Sequence, residues 1–146
     1  MAAMKAAILY ESLTGHTRKA AELIAVNLQQ EGWSVTGLST VKKPELQSIQ
    51  DADIVVVGTW VHGLFVVGQT PWALGSIEHL PSMRGKLAAT FCTYALNPGK
   101  SVDKLDHAVG LIGAEVIGGA ALHRSKLHEH AEEFAGRLIE NVPASR

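Results

Sequence analysis

Short unbroken apolar runs alternate along this chain with longer stretches whose apolar positions recur every three or four residues. Met4 to Tyr10 (MKAAILY) is short, apolar and followed by turn residues, as a strand buried on both faces would be. Over residues 16–31, Ala20, Leu23, Ile24 and Leu28 share one helical face, and Gly32 supplies a C-terminal stop. Trp33 to Leu38 (WSVTGL) reads as a second, weaker strand, and Leu46 and Ile49 within residues 42–50 suit a short helix after Pro44. Ala52 to Gly58 (ADIVVVG), rich in β-branched residues, is the clearest strand. Thr70-Pro71 offers the cap and first turn of a third helix through Ala73, Leu74, Ile77 and Leu80, ended by Pro81. Lys86 to Cys92 (KLAATFC) is a fourth strand, and Ser101 caps a helix with Val102, Leu105, Val109 and Ile112 inward. Glu115 to Leu122 (EVIGGAAL) is a fifth strand, and Leu127, Ala131, Phe134, Leu138 and Val142 stripe a final helix.

Five strands alternating with five helices predict an α/β fold: a three-layer, doubly wound parallel sheet covered on both faces. Ligands of such sheets sit beyond the carboxyl ends of the strands, at the topological switch point. The loops after strands one, three and four are therefore where chemistry is expected.

Composition narrows the classes of function. At 146 residues the chain is expected to form one domain, residues 1–146. Its apolar share is 47%, yet no stretch reaches the roughly 18 apolar residues of a membrane span. The start MAAMKAAILY does not read as a signal or transit peptide. A single cysteine, Cys92, excludes an internal disulfide framework and fits a reducing compartment, so the expected location is the cytoplasm. A net charge of −1 argues against nucleic acid as an electrostatically held partner.

The first loop is Ser12-Leu13-Thr14-Gly15-His16-Thr17. A glycine-containing loop entering a helix presents unpaired N–H groups and the positive end of the helix dipole, and three hydroxyls add donors without charge. That composition suits a phosphate monoester. It equally suits an ordinary capped loop, since Ser, Thr and Gly are what caps use. The third strand ends in Gly58-Thr59-Trp60-Val61-His62-Gly63, where Trp60 either offers a flat stacking surface or packs in the core. The third loop is Thr93-Tyr94-Ala95-Leu96-Asn97-Pro98-Gly99-Lys100. Three other motifs lose their force on inspection. Gly99-Lys100-Ser101 is no nucleotide P-loop, because that motif needs glycine where Tyr94 stands. Cys92 sits in an apolar strand, where thiols are inert. His123, His128 and His130 read as solvated surface rather than a metal cluster, since the latter two fall on opposite sides of a helix.

Ser12-x-Thr14-Gly15-x-Thr17 after the first strand, with Thr59-Trp60 at the end of the third, resembles the short-chain flavodoxins over essentially the whole chain. The resemblance implies strand order 2-1-3-4-5, with FMN as the cofactor at the switch point. It assigns the FMN phosphate to Ser12, Leu13, Thr14, Gly15, His16 and Thr17. The ring falls to Thr59, Trp60, Val61, His62 and Gly63, and to Thr93, Tyr94, Ala95, Asn97 and Gly99. No catalytic side chain and no metal is implied.

The chain departs from that family in three respects. Many flavodoxins are strongly acidic around the flavin, whereas Arg18, Lys19, Lys100 and Lys104 here balance Glu11, Asp103 and Asp106. Glycine commonly follows the tryptophan, where its peptide flips toward the flavin N5. Here Val61-His62 intervene before Gly63, and His62 is either a positive charge near the ring or a solvent-facing residue. Leu64-Phe65-Val66-Val67 then forms either a buried helix start or a patch for a partner, a second copy or an apolar substrate. The leading expectation is an FMN-binding electron carrier with a reductase and an acceptor protein as partners. It would be a monomer, or a weak dimer through Leu64–Val67, binding neither nucleic acid nor membrane. The alternatives are an FMN-dependent NAD(P)H:quinone-type oxidoreductase and a cofactor-free regulatory domain on the same fold.

Overall fold

The computed structural model describes residues 4–62, 70–71 and 73–143. Its elements in chain order are β1 (Lys5–Tyr10), α1 (His16–Gln30), β2 (Ser34–Thr40), α2 (Leu46–Asp51), β3 (Ile54–His62) and β4 (Thr70–Pro71). They continue with α3 (Leu74–Glu78), β5 (Leu87–Tyr94), α4 (Ser101–Leu111), β6 (Glu115–His123) and α5 (Leu127–Asn141). The five long strands are all parallel, in the order β2-β1-β3-β5-β6. With the two-residue β4 set aside, that is the expected order 2-1-3-4-5, with the switch point between β1 and β3.

Strand alternation builds the two cores. Ala6, Ile8, Ile54, Val56, Leu87, Ala89 and Phe91 point to one face and pack against Ile24 and Leu28 of α1 and Phe134 and Leu138 of α5. Ala7, Leu9, Val55, Val57, Ala88 and Cys92 point to the other and meet Ile49 of α2, Ile77 of α3 and Leu105 and Val109 of α4. Central strands buried on both faces explain their unbroken apolar runs. Gly58 is required within this packing, because a Cβ there would lie 1.9 Å from Cζ of Phe91. The stop after α1 is also as expected. Gly32 adopts φ +91°, and the N–H of Trp33 donates to the Leu28 carbonyl at 3.0 Å.

The structure corrects several element boundaries. β3 continues four residues past Gly58, and β5 runs two past Cys92, because the ladder carries on through Thr59↔Cys92 and Trp60↔Thr93. Thr70-Pro71 does not cap a helix. It pairs antiparallel with Val61-His62, an edge position where the missing proline N–H costs nothing. The third helix shrinks to five residues behind Ala73, which has φ +64°. Ser101 is the first residue of α4 rather than its cap, and its buried hydroxyl has no hydrogen-bond partner among the described residues. Gly63 and the Leu64–Val67 stretch lie outside the described residues. Among the described residues no helix is long and apolar enough to cross a membrane.

Candidate functional site

The carboxyl ends of β1, β3 and β5 lie side by side, with Tyr10, Gly58 and Phe91 in register across them. From β1 the chain turns through Ser12–Thr17 into α1. Gly15 makes the turn at φ +95°, a conformation costly for any residue with a Cβ, and its N–H donates to Ser12 Oγ at 3.1 Å. The first helical hydrogen bond of α1 runs from the Lys19 N–H to the Gly15 carbonyl at 2.9 Å. The amides of His16, Thr17 and Arg18 therefore precede the ladder, at the positive end of a 15-residue helix. The base of the loop is tied down by Glu11. This largely buried residue donates its own N–H to the Gly58 carbonyl (3.0 Å), and its Oε1 accepts the Lys42 N–H (2.8 Å).

The hydroxyls of this loop divide into two kinds. Ser12 and Thr14 lie toward the surface, and Thr14 Oγ1 is hydrogen-bonded to His16 Nδ1 at 2.8 Å. Thr17 is 1% exposed, and its Oγ1 is hydrogen-bonded to Oγ1 of Thr93 at 2.7 Å. Thr17 is thus a buried tie between the start of α1 and the end of β5. Thr93 is the direct cross-strand partner of Trp60, so the half-buried Trp60 shares the α1 side of the sheet with this pair. The structure therefore brings Ser12–Thr17, Trp60 and Thr93 together. Thr59 is fully buried beside Cys92 on the opposite side, and Val61 packs partly against the α4-side core.

Tyr94 points the other way. It follows Thr93 by one residue, which puts it on the α4 face, and its ring meets His123 edge-on at 5.1 Å between centroids. Ala95 is half-buried and Asn97 exposed, and Asn97 Oδ1 accepts the Gly99 N–H at 2.9 Å in a local turn with Gly99 at φ +56°. The backbone of His62 lies at the end of β3 opposite Thr70.

Electrostatics separate further groups from the site. Asp106 does not belong to the charge balance at the strand ends. It turns inward from α4 and accepts a hydrogen bond from Thr90 Oγ1, in space that Gly119 leaves open. Burial raises its carboxyl pKa, the Thr90 hydrogen bond opposes that rise, and the nearby Asp103 charge adds to it. The same burial, assisted by Asp106, pushes the Cys92 thiol up to about 12, which makes it inert. The three histidines are not uniformly solvated. His130 Nδ1 accepts the His123 N–H (2.9 Å), and His123 Nδ1 accepts the Ser125 N–H (3.1 Å), so these two shape the entry to α5 while His128 is exposed. Among the described residues no group of three His, Cys, Asp or Glu is placed to hold a metal. A groove of about 490 Å³ between the end of β2 and α3 is lined by Val41, Lys42, Pro44, Gly75, Ser76, His79 and Leu80, and includes none of the expected site residues. Sequence reasoning missed Glu11 as the anchor of the loop and the Thr17–Thr93 pair. Period-two counting back from the end of β5 would have put Thr93 on the α1 face.

The oxidised flavodoxin 1 of Bacillus cereus aligns over 95% of this chain and 99% of its own at 19% identity, with a TM-score of 0.70. The flavodoxin of Streptococcus pneumoniae aligns over 91% and 99% at 22% identity, with a TM-score of 0.65. The rubredoxin oxygen:oxidoreductase of Desulfovibrio gigas aligns over 96% of this chain but 37% of its own, at 22% identity and a TM-score of 0.67. These likenesses concern the fold. A search of curated proteins found no match. The model of the flavodoxin domain matches residues 7–107, which span β1 through most of α4. The chain belongs to the flavodoxin domain family.

Proposed function

We propose that the protein binds FMN at the switch point and serves as a one-cofactor electron carrier between redox proteins. The observation that carries this reading is the Ser12–Thr17 turn. Gly15 in the left-handed region leads into a long helix whose first amides precede its hydrogen-bond ladder, beside two near-surface hydroxyls. This donor set fits a phosphate monoester without any positive side chain needing to move. Ser12 accepts from Gly15 and keeps its own hydrogen to give. Trp60, half-buried on the same side, supplies a flat apolar wall for the ring, and Thr93 holds that wall in register with α1 through Thr17. Tyr94, turned toward His123, flanks the site only from the α4 side.

FMN, when bound, supplies the electron chemistry. The chain's own groups bind, orient and shield it, and none is needed as acid, base or nucleophile. A rubredoxin oxygen:oxidoreductase carries the same fold over 37% of its chain, and its name pairs that fold with a redox protein, which supports exchange with protein partners. The second reading, direct use of NAD(P)H to reduce a quinone, draws on the near-neutral charge of the whole chain. Reductive titration of the FMN-loaded protein separates the two. A carrier is reduced only when a partner reductase or a strong chemical reductant is added. Sustained NAD(P)H oxidation with a quinone and no other protein would overturn the carrier reading.

A further inference from the structure

Resting on the FMN reading, one contact in the loop adds a property of the same site. Thr14 Oγ1 and His16 Nδ1 lie 2.8 Å apart, both at the near-surface rim of the turn. The hydroxyl and the ring can share this bond in only two directions. When the imidazole is neutral with its proton on Nε2, Nδ1 has no hydrogen, and the Thr14 hydroxyl must donate to it. The hydroxyl hydrogen is then spent inside the loop. When the imidazole is protonated, Nδ1–H donates to Thr14 Oγ1, and the hydroxyl hydrogen is released to an anion seated on the α1 amides. We propose that the neutral His16 ring carries its proton on Nε2, that His16 acts on the phosphate through Thr14, and that its protonation strengthens the hold on the FMN phosphate.

The change supplies a hydroxyl donor and a positive charge together, within the first turn of the helix. The other charged or titratable groups at this end of the molecule do not duplicate it. Glu11 accepts the Lys42 amide, and Arg18 pairs with Glu22 at 3.8 Å along α1. On the neighbouring α5, His130 accepts from the His123 backbone, and His128 is exposed.

The test measures FMN and riboflavin affinity by flavin fluorescence near pH 5.5 and near pH 8, for the wild type and His16→Gln. The phosphate of free FMN titrates near pH 6 and is common to both measurements, so the comparison between the two proteins removes it. From the lower to the higher pH, the wild type should lose about tenfold more FMN affinity than His16→Gln, the scale of one charge-assisted hydrogen bond. Thr14→Val should remove the excess as well. Riboflavin, which lacks the phosphate, should show no excess. Parallel FMN profiles in the wild type and His16→Gln would overturn the proposal, as would an equal excess with riboflavin. If the wild type binds FMN no better than riboflavin at either pH, the phosphate loop is misassigned and both readings fall. FMN preferred over riboflavin with parallel profiles would sink the His16 role alone.

Discussion

Thr17 and Thr93 show how much one pair of side chains fixes. Their hydroxyls are buried together, 76 residues apart in sequence, and nothing in either local motif announces the partnership. What the sequence did show was the kind of residue: a hydroxyl at a helix entrance, suited to a cap or an anion. The structure gives Thr17 a structural task, since at 1% exposure it ties the start of α1 to the end of β5. Replacing either threonine by valine keeps the volume but leaves the other hydroxyl buried and unpaired, and should cost about 1–3 kcal/mol in urea denaturation. The double variant should lose less than the sum of the two, because it strands neither group. Strict additivity would mean that the two hydroxyls do not depend on each other. Glu11 was legible as a charge at the end of the first strand but not as an anchor, because the Lys42 amide it accepts lies 31 residues away.

Among the elements, the apolar strands were readable because burial on both faces leaves continuous runs of Ile, Val and Ala. Their carboxyl ends were not. Thr59-Trp60-Val61-His62 extends β3, first because β5 pairs with it as far as Trp60↔Thr93 and then because β4 pairs with Val61-His62, and neither partner can be seen in the local sequence. The short α3 was overestimated for a similar reason. Thr70-Pro71 has the chemistry of a helix start but is captured as β4 by the extended β3. α4 carries a testable electrostatic feature. Asp106 is pressed against Thr90, and burial is the main cause of its raised pKa. An acid whose folded pKa exceeds its unfolded one binds its proton more tightly when folded, so it adds stability below the ordinary aspartate value. That stability is lost as pH rises through the folded value. Urea midpoints of Asp106→Asn should therefore fall less than those of the wild type between about pH 4 and pH 7. A steeper fall in the variant would mean that the ionised carboxylate is the favoured partner of Thr90.

For the molecule as a whole, the covered parallel sheet follows from the alternation of strands and helices and the strand order from family resemblance alone, and the structure bears both out. The layered core was equally legible, because each face of the sheet draws on a separate stripe of helical residues. The assembled site was only half legible. The loop proposed to take the phosphate can be read from six consecutive residues, whereas the grouping of Trp60 with Thr93 and the turning of Tyr94 toward His123 depend on strand parity at the extended ends. If this switch point holds FMN, titrating FMN into the purified protein should quench flavin fluorescence with a dissociation constant below about 1 μM. Fluorescence unchanged at tens of micromolar protein would contradict it.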